Sequence, residues 1–421
     1  MRVLWVKAGK LLPVDTGGKI RSYNLLRHLA ARHQLVLLSY YGGQHDTGYE
    51  DEIRRHFPGA EPIHDGLSQD GLALYLDYAR RLLSPMPYAV AKFTSRRVRR
   101  IVQAWLDERR FDVAVCDFLS ASGNFPRQLE TPSVLFQHNV ESVLWQRQAT
   151  HEPNLVKRTA FTVEAAKMSR YERDAVRRFP RVVAVSERDR GEMAAITDPA
   201  RVSVVPTGVD VERYRAAAGT SPDRPVVMFL GSMDWEANID AVDYFSREIW
   251  PSVRSAVPDA LFRIVGRSPH HRVTRLASPS VEVTGTVPSV VDHLKEAAVF
   301  VVPLRIGGGT RLKIFEAMAA EKAVVSTSIG AEGLDVADGR DILLADTARE
   351  FADSVIALLR DPVRRRQQER AAGQTAARHD WSVIGRRFEG VLREAITAVE
   401  RADRLGTARP RGQVETARLE T

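Results

Sequence analysis

The stretch Ala298–Ala320, AVFVVPLRIGGGTRLKIFEAMAA, decides how the rest of the chain is read. Val299 to Val302 is an apolar run too short for a membrane and of the right length for a buried strand, and Pro303 ends it. Gly307, Gly308, Gly309 and Thr310 follow, and then Leu312, Phe315 and Ala319 recur at helical spacing. The pattern predicts strand, glycine loop, helix. Such a unit attracts anions. The first helical amides lack internal partners and carry the positive end of the helix dipole, while glycines let a phosphate come close to the backbone. Arg311 and Lys313 add two cations in the first turn, where each is unfavourable by roughly 0.3–1 kcal/mol unless an anion offsets it. One turn on, Glu316 is placed to accept from a pair of hydroxyls such as a ribose diol. Read alone, the same residues also fit a tight turn into an ordinary surface helix.

Around that stretch, 421 residues at 44% apolar content are enough for two domains with full cores. A single cysteine, Cys116, rules out an internal disulfide and a cysteine-based zinc site, and fits a reducing compartment. The opening MRVLWVKAGK reads as a first strand rather than a signal peptide, and no run approaches the ~20 apolar residues of a spanning helix. A cytoplasmic protein is expected. The net charge of +8 is uneven: residues 1–208 hold 31 Lys and Arg against 23 Asp and Glu, and the remainder balances.

The glycine-joint pattern recurs in both directions from the stretch. Upstream, the strands Val226 to Leu230, Leu261 to Val265 and Val281 to Thr284 end at Gly231, Gly266 and Gly285; downstream, Ala323 to Ser326 leads to Gly330 and Gly333. This is a parallel domain whose loops converge on one edge. A linker from Arg215 to Pro225 separates it from a similar first half. There, Val3 to Val6 leads through Gly17 and Gly18 to a helix from about Ile20, then to the strand Leu35 to Ser39. The spacing is not G-x-G-x-x-G, so Gly17 and Gly18 fit either a ligand-facing loop or a turn needing positive φ. The strand Ser133 to Phe136 runs into Gln137-His138-Asn139-Val140-Glu141, and ligands of open α/β sheets bind at such carboxyl ends. His138 is therefore a candidate, with a structural histidine as the alternative. Residues 80–110 carry nine basic residues and an apolar face of Val98, Ile101, Val102, Trp105 and Leu106, which suits either an anionic membrane or a solvated surface helix. Residues 43–70 resist assignment, 347–400 read as mostly helical, and the polar tail from about Ala402 reads as disordered.

Four motifs succeed one another in order: Val-Val-Pro-Thr-Gly-Val-Asp at 204–210, Ile-Val-Gly-Arg at 264–267, Val-Thr-Gly-Thr-Val at 283–287, and Gly-Gly-Thr-Arg-Leu-Lys-Ile-Phe-Glu-Ala-Met-Ala at 308–319. With them the chain resembles the retaining GT-B glycosyltransferases of family 4, the group 1 transferases. Within that family it is similar to bacterial sugar transferases carrying Gly-Thr-Arg-Leu-Lys-Ile. The resemblance implies two Rossmann-like domains facing across a cleft: residues 1–208 on the acceptor side, 209–380 binding the nucleotide sugar, and a helix of about 384–400 crossing back onto the first. It also implies roles. Glu316 would accept from the donor ribose, and Gly285, Thr286 and Val287 would meet the base. Gly308, Gly309 and Thr310 would hold the diphosphate, and His138 would lie over the donor sugar. Gly17 and Gly18 would line the acceptor side, beside Asn139 and Glu141. Two departures stand out. Many relatives carry a Glu where this chain has Gly308, and an Arg and a Lys in the loop that here reads Gly231 to Asn238. Arg311 and Lys313 are the replacements for those two cations.

The expected activity is transfer of a sugar, with retained configuration, from a nucleotide-diphosphate sugar (UDP favoured) to a hydroxyl of a glycan, lipid-linked or natural-product acceptor. No cofactor or metal is expected, since the chain contains no D-x-D triplet and fixed cations do a metal's work. The alternative is a non-catalytic nucleotide- or glycan-binding protein of the same fold. A phosphorylase would need inorganic phosphate rather than a nucleotide. Nucleic acid is not an expected partner, because the basic stretches lack interleaved aromatics and a known motif; a peripheral contact with an anionic membrane is.

Overall fold

The computed structural model describes residues 1–65, 77–78, 81, 84–219, 224–306 and 312–404. Two parallel sheets organise them. The first runs β3-β2-β1-β4-β5-β6-β7, with β1 Arg2–Ala8, β2 Gln34–Tyr41, β3 Ala60–His64, β4 Val113–Asp117, β5 Ser133–Phe136, β6 Arg181–Ala184 and β7 Val202–Val204. The second runs β10-β9-β8-β11-β12-β13, with β8 Val226–Leu230, β9 Leu261–Val265, β10 Val281–Gly285, β11 Ala297–Val302, β12 Ala323–Ser326 and β13 Leu343–Leu344. Helices cover both faces, so central strands are near-continuous apolar runs. Val3 to Val6 and Val299 to Val302 have no exposed surface. In each sheet the strand order reverses once, between β1 and β4 and between β8 and β11. In open sheets of this kind the crevice beyond the strand ends at that switch point is where ligands bind.

Eight of the helices shape the two crevices and their surroundings: α1 Gly17–Ala30, α2 Thr47–His56, α3 Arg96–Asp107, α4 Glu141–His151, α5 Leu155–Arg178, α6 Glu236–Tyr244, α7 Leu312–Ala319 and α8 Trp381–Arg404. Helix α8 returns to the first sheet. Its residues Ile384, Phe388, Val391, Leu392 and Ala395 form one helical stripe, buried in the same core as Trp5 and Phe136. The Phe388 ring lies 5.6 Å from Trp5 and 5.2 Å from Phe136, centroid to centroid. The two chain crossings run side by side: Val209 N donates to His379 O and Trp381 N to Val209 O.

The structure refines several sequence expectations. Helix α1 starts at Gly17, not about Ile20, because the Thr16 side chain accepts from Lys19 N and caps it. Gly17 and Gly18 are therefore helical, and no positive φ is recorded at either. The unassigned region holds α2 and β3. On α3, Val98, Val102 and Leu106 are buried in the first domain's core, so that helix turns its apolar face inward. Helix α8 continues to Arg404, three residues into the expected tail, and residues 405–421 lie outside the described chain. Among the described residues no helix is long and apolar enough to cross a membrane.

Candidate active site

The crevice at the β1/β4 switch point is built on a buried carboxylate. Asp117, the last residue of β4, has no exposed surface. One oxygen, Oδ2, accepts from Lys7 Nζ at 3.0 Å, Trp5 Nε1 at 3.0 Å and Ser22 Oγ at 2.7 Å. The other, Oδ1, accepts from His138 Nε2 at 2.9 Å. Burial opposes the charge on Asp117, but Lys7 and the hydrogen bonds from His138 and Ser22 outweigh it, and its pKa falls well below the usual carboxylate range. The opposite balance governs His138. Burial outweighs the help of Asp117 and pulls its pKa down to about 4, so the ring is neutral at neutral pH. With Nε2–H donated to Asp117, Nδ1 is left as the acceptor, 3.5 Å from Arg21 Nη1. Arg21 is itself buried, and desolvation lowers its pKa to about 10.

His138, expected over the donor sugar, lines a cavity of about 70 Å³ together with Glu332 and Gly333 of the second half. His138 is 1% exposed and both ring nitrogens are engaged. Its ring stacks on Phe118, with centroids 3.7 Å apart and planes 7° from parallel. Phe118 holds a φ of 71°, a left-handed conformation that a bulky residue rarely adopts. Gly18 makes room for it: a Cβ there would fall 2.7 Å from the Phe118 ring. Gly18 and Phe118 also line a cavity of about 1100 Å³ beyond the ends of β1 and β2, together with Lys7, Lys10 and Lys19. Three of the chain's nine lysines thus meet at one place. Asn139 and Glu141 open α4 on the neighbouring side. There the buried carboxylate of Glu172 accepts from Glu141 N at 2.9 Å and from Ser142 N at 3.1 Å. Burial and the nearby Glu172 charge push Glu141 up to about 7.

The β8/β11 crevice faces this one. Lys313, in the first turn of α7, reaches back to the end of β8. Its Nζ donates to Asn238 Oδ1 at 2.9 Å and sits 4.3 Å from the Phe229 ring centroid. A Cβ on Gly231 would fall 2.7 Å from Asn238 Nδ2 and 2.9 Å from that Nζ, so a side chain there would make both shift. Glu316 is three residues further along the same helical face. Desolvation raises its pKa, against a hydrogen bond from the Tyr214 hydroxyl. Gly285 ends β10 with a φ of 71°, and after it Thr286 is exposed and Val287 half-buried. Gly308, Gly309, Thr310 and Arg311 lie outside the described residues.

Sequence reasoning missed several of these groups. Asp117 and Lys7 sit in otherwise apolar strands, and that anomaly was the available signal. Arg267 belongs to the Ile-Val-Gly-Arg motif, and its Nε donates to Ser232 Oγ in the Gly231–Asn238 loop at 2.8 Å. The two halves also touch. A Cβ on Gly17 would lie 3.9 Å from Leu312 Cδ1, and Arg147 and Arg188 of the first half both pair with Glu332 of the second.

Two facing Rossmann-like halves with a helix returned to the first define the GT-B fold. The comparisons agree. Residues 16–213 match the family Glycosyltransferase Family 4, and residues 224–361 match Glycosyl transferases group 1, so the chain carries both domains of these glycosyltransferases and belongs to them. Sucrose-phosphate synthase from Thermosynechococcus elongatus superposes with a TM-score of 0.63, covering 94% of this chain and all of that one at 15% identity. Anabaena Alr3699/HepE, solved in complex with UDP, gives the same values. At that identity both speak for the fold. Among curated proteins, phosphatidyl-myo-inositol mannosyltransferase from Mycobacterium leprae is 28% identical over 209 residues, 46% of this chain and 54% of that protein. D-inositol 3-phosphate glycosyltransferase from Kineococcus radiotolerans is 27% identical over 264 residues, 53% and 59% respectively. The matched chain thus spans between about half and three-fifths of these relatives' length.

Proposed function

We propose that this protein transfers a sugar from a nucleoside-diphosphate sugar to a hydroxyl group, with retention at the anomeric carbon and without a metal. The observation that carries the reading is the pair Lys313 and Glu316 on one face of α7, at the β8/β11 switch point, with Gly17 of the opposite half against the same helix. Lys313, the neighbouring Arg311 and Arg267 would neutralise the diphosphate. Glu316 would accept from the ribose; a carboxylate has about four acceptor sites, and Tyr214 takes one.

The chemistry separates charge: as the bond from the anomeric carbon to the diphosphate oxygen breaks, the leaving group gains negative charge and the sugar becomes cationic. Cations fixed beside the leaving group therefore hold the transition state more tightly than the ground state. UDP is the favoured carrier, supported by the UDP complex of a protein with this fold. The sequence suggests a glycan, lipid-linked or natural-product acceptor, and the relatives' names differ from the glycan and natural-product alternatives. Those names point to a phosphorylated inositol, lipid-borne or free. A panel of nucleotide sugars, followed by NMR of the anomeric proton, tests this. The expected result is slow hydrolysis of one donor, retained configuration in the transfer product, and full turnover in excess EDTA. Tight donor binding with no turnover under any acceptor would overturn the reading in favour of a binding protein.

A further inference from the structure

We propose that the arginine-lined cavity at the amino-terminal edge of the first sheet is a second anion site, for a ligand bearing two or more phosphate groups. The cavity has a volume of about 1740 Å³, beyond the ~300–1,000 Å³ of ordinary small-molecule pockets. It is bounded by the C-terminal end of α5, the residues entering β6 and β7, and the segment leading to β5. All of these lie where strands begin. Asp117 and the residue before His138 stand where β4 and β5 end, and four residues of β5 separate the two edges by about 13 Å. The cavity is thus distinct from the cleft.

Eight of its lining residues are arginine, against Glu130, Asp174 and Asp198. Helix capping explains part of this. Arg201 donates to the carbonyls of Arg177, Phe179 and Pro180 at the end of α5, where the helix dipole favours cations. Arg99 and Arg178 donate to Gly123 O and Ser122 O at 2.8 Å, Arg177 to Ile196 O at 3.0 Å, and Arg181 to Ala200 O. Carbonyls fix these five guanidiniums in place but carry no net charge. Among the described residues none of the eight is paired with a carboxylate. The guanidiniums of Arg109, Arg127 and Arg170 make no hydrogen bond there either, and Nε of Arg178 is buried without a partner. Like charges concentrated in a concave site raise its potential and draw in anions. The planar guanidinium fork matches phosphate oxygens, and each phosphate monoester brings about −1.5 to −2 charges. Base stacking has no platform here: Phe125 is buried, and the Tyr171 hydroxyl is tied to Ser122 at 2.9 Å. The ligand is therefore a compact phosphate ester or polyphosphate, free or as a lipid headgroup, rather than a nucleic acid strand.

Calorimetry of the full chain with inorganic tripolyphosphate tests this without reference to turnover. Arg127→Glu/Arg170→Glu removes two arginines with no hydrogen bond or ion pair among the described residues, and Arg349→Glu/Arg366→Glu on the second domain is its charge-matched control. The expected result is salt-sensitive binding that falls about tenfold or more in the first variant, while the control and Lys313→Ala stay within about twofold of wild type. Equal loss in both charge variants would reduce the effect to net charge and overturn the site. Loss confined to Lys313→Ala would move binding to the cleft and overturn it as well, as would no binding at all. Sedimentation with cardiolipin vesicles identifies the source: co-sedimentation abolished by the same variant marks a lipid headgroup, and tripolyphosphate binding alone marks a soluble ligand.

Discussion

The two crevices that face each other across the cleft arise from the same reversal of strand order, yet they hold their charges in opposite ways. In the first, Lys7, Asp117, Arg21 and His138 are all buried, and the Asp117 carboxylate is filled by protein donors on both oxygens. In the second, Lys313 and Glu316 are only half-buried, at the edge of the crevice. A sealed network has lost its hydration and recovers it only through geometry; it gives a fixed shape and little capacity to meet a ligand. A half-open cation keeps that capacity. The difference assigns the first crevice to shaping the cleft and the second to holding the charged donor.

The largest effect should come from breaking the sealed side. Asp117→Asn leaves Lys7 buried without its counter-charge, and removing one partner of such a pair costs about 3–5 kcal/mol. Urea denaturation should show that loss, with activity falling alongside stability. A loss under about 1 kcal/mol would mean the network is not what holds the crevice, and the contrast between the two sides would fail.

On the open side the effects should separate. Lys313→Ala is expected to leave stability within about 1.5 kcal/mol, the scale of a hydrogen bond such as that to Asn238. Turnover should fall by about 10²–10³, or roughly 2.7–4 kcal/mol of transition-state stabilisation. Steady-state kinetics beside a thermal melt checks both, and wild-type turnover would remove Lys313 from the diphosphate site. Glu316→Gln should act mainly on binding, weakening the nucleoside diphosphate by roughly 1.5–3 kcal/mol, the scale of a hydrogen bond to a charged group. Tyr214→Phe keeps the carboxylate and serves as the comparison in calorimetry. If the two variants bind alike, the ribose role falls.

How much of this was legible in the sequence obeys the same division. The strands β5, β8, β9 and β12 have the expected bounds, because a strand buried on both faces is a mostly apolar run, with Arg263 the one charged residue among the four. Region 43–70 was opaque since α2 buries only Tyr49 and Ile53, too few for a period to show. Two adjacent glycines, poor helix formers, hid the start of α1, where the Thr16 cap decides the matter. The open crevice could be read because Lys313 and Glu316 belong to one local motif. The sealed one could not: Lys7 and Asp117 are 110 residues apart, and only the β1–β4 pairing, with Lys7 opposite Asp117, makes them a pair. A local pattern encodes what a helix presents. It does not encode which buried charges a sheet brings together.

The smallest effect sharpens the comparison through pH, since the sealed side carries two titrations of opposite sign. His138 has its pKa lowered from 6.5 to about 4, so over that window the unfolded chain binds more protons, and stability is lost as pH falls. Glu141 has its pKa raised from 4.5 to about 7, so the folded chain binds more protons, and stability is lost as pH rises. Between 4.5 and 6.5 the two slopes oppose each other. Glu141→Gln removes one of them. The variant should gain on the order of 1–2 kcal/mol over wild type near pH 8, after discounting for partial exposure, and nothing near pH 4. Its stability should also climb more steeply between those limits, because the His138 slope is no longer offset. Melting temperatures taken across the range decide it. A variant that tracks wild type at every pH would show that Glu141 meets solvent, and the sealed side would then end at His138 instead of extending to the start of α4.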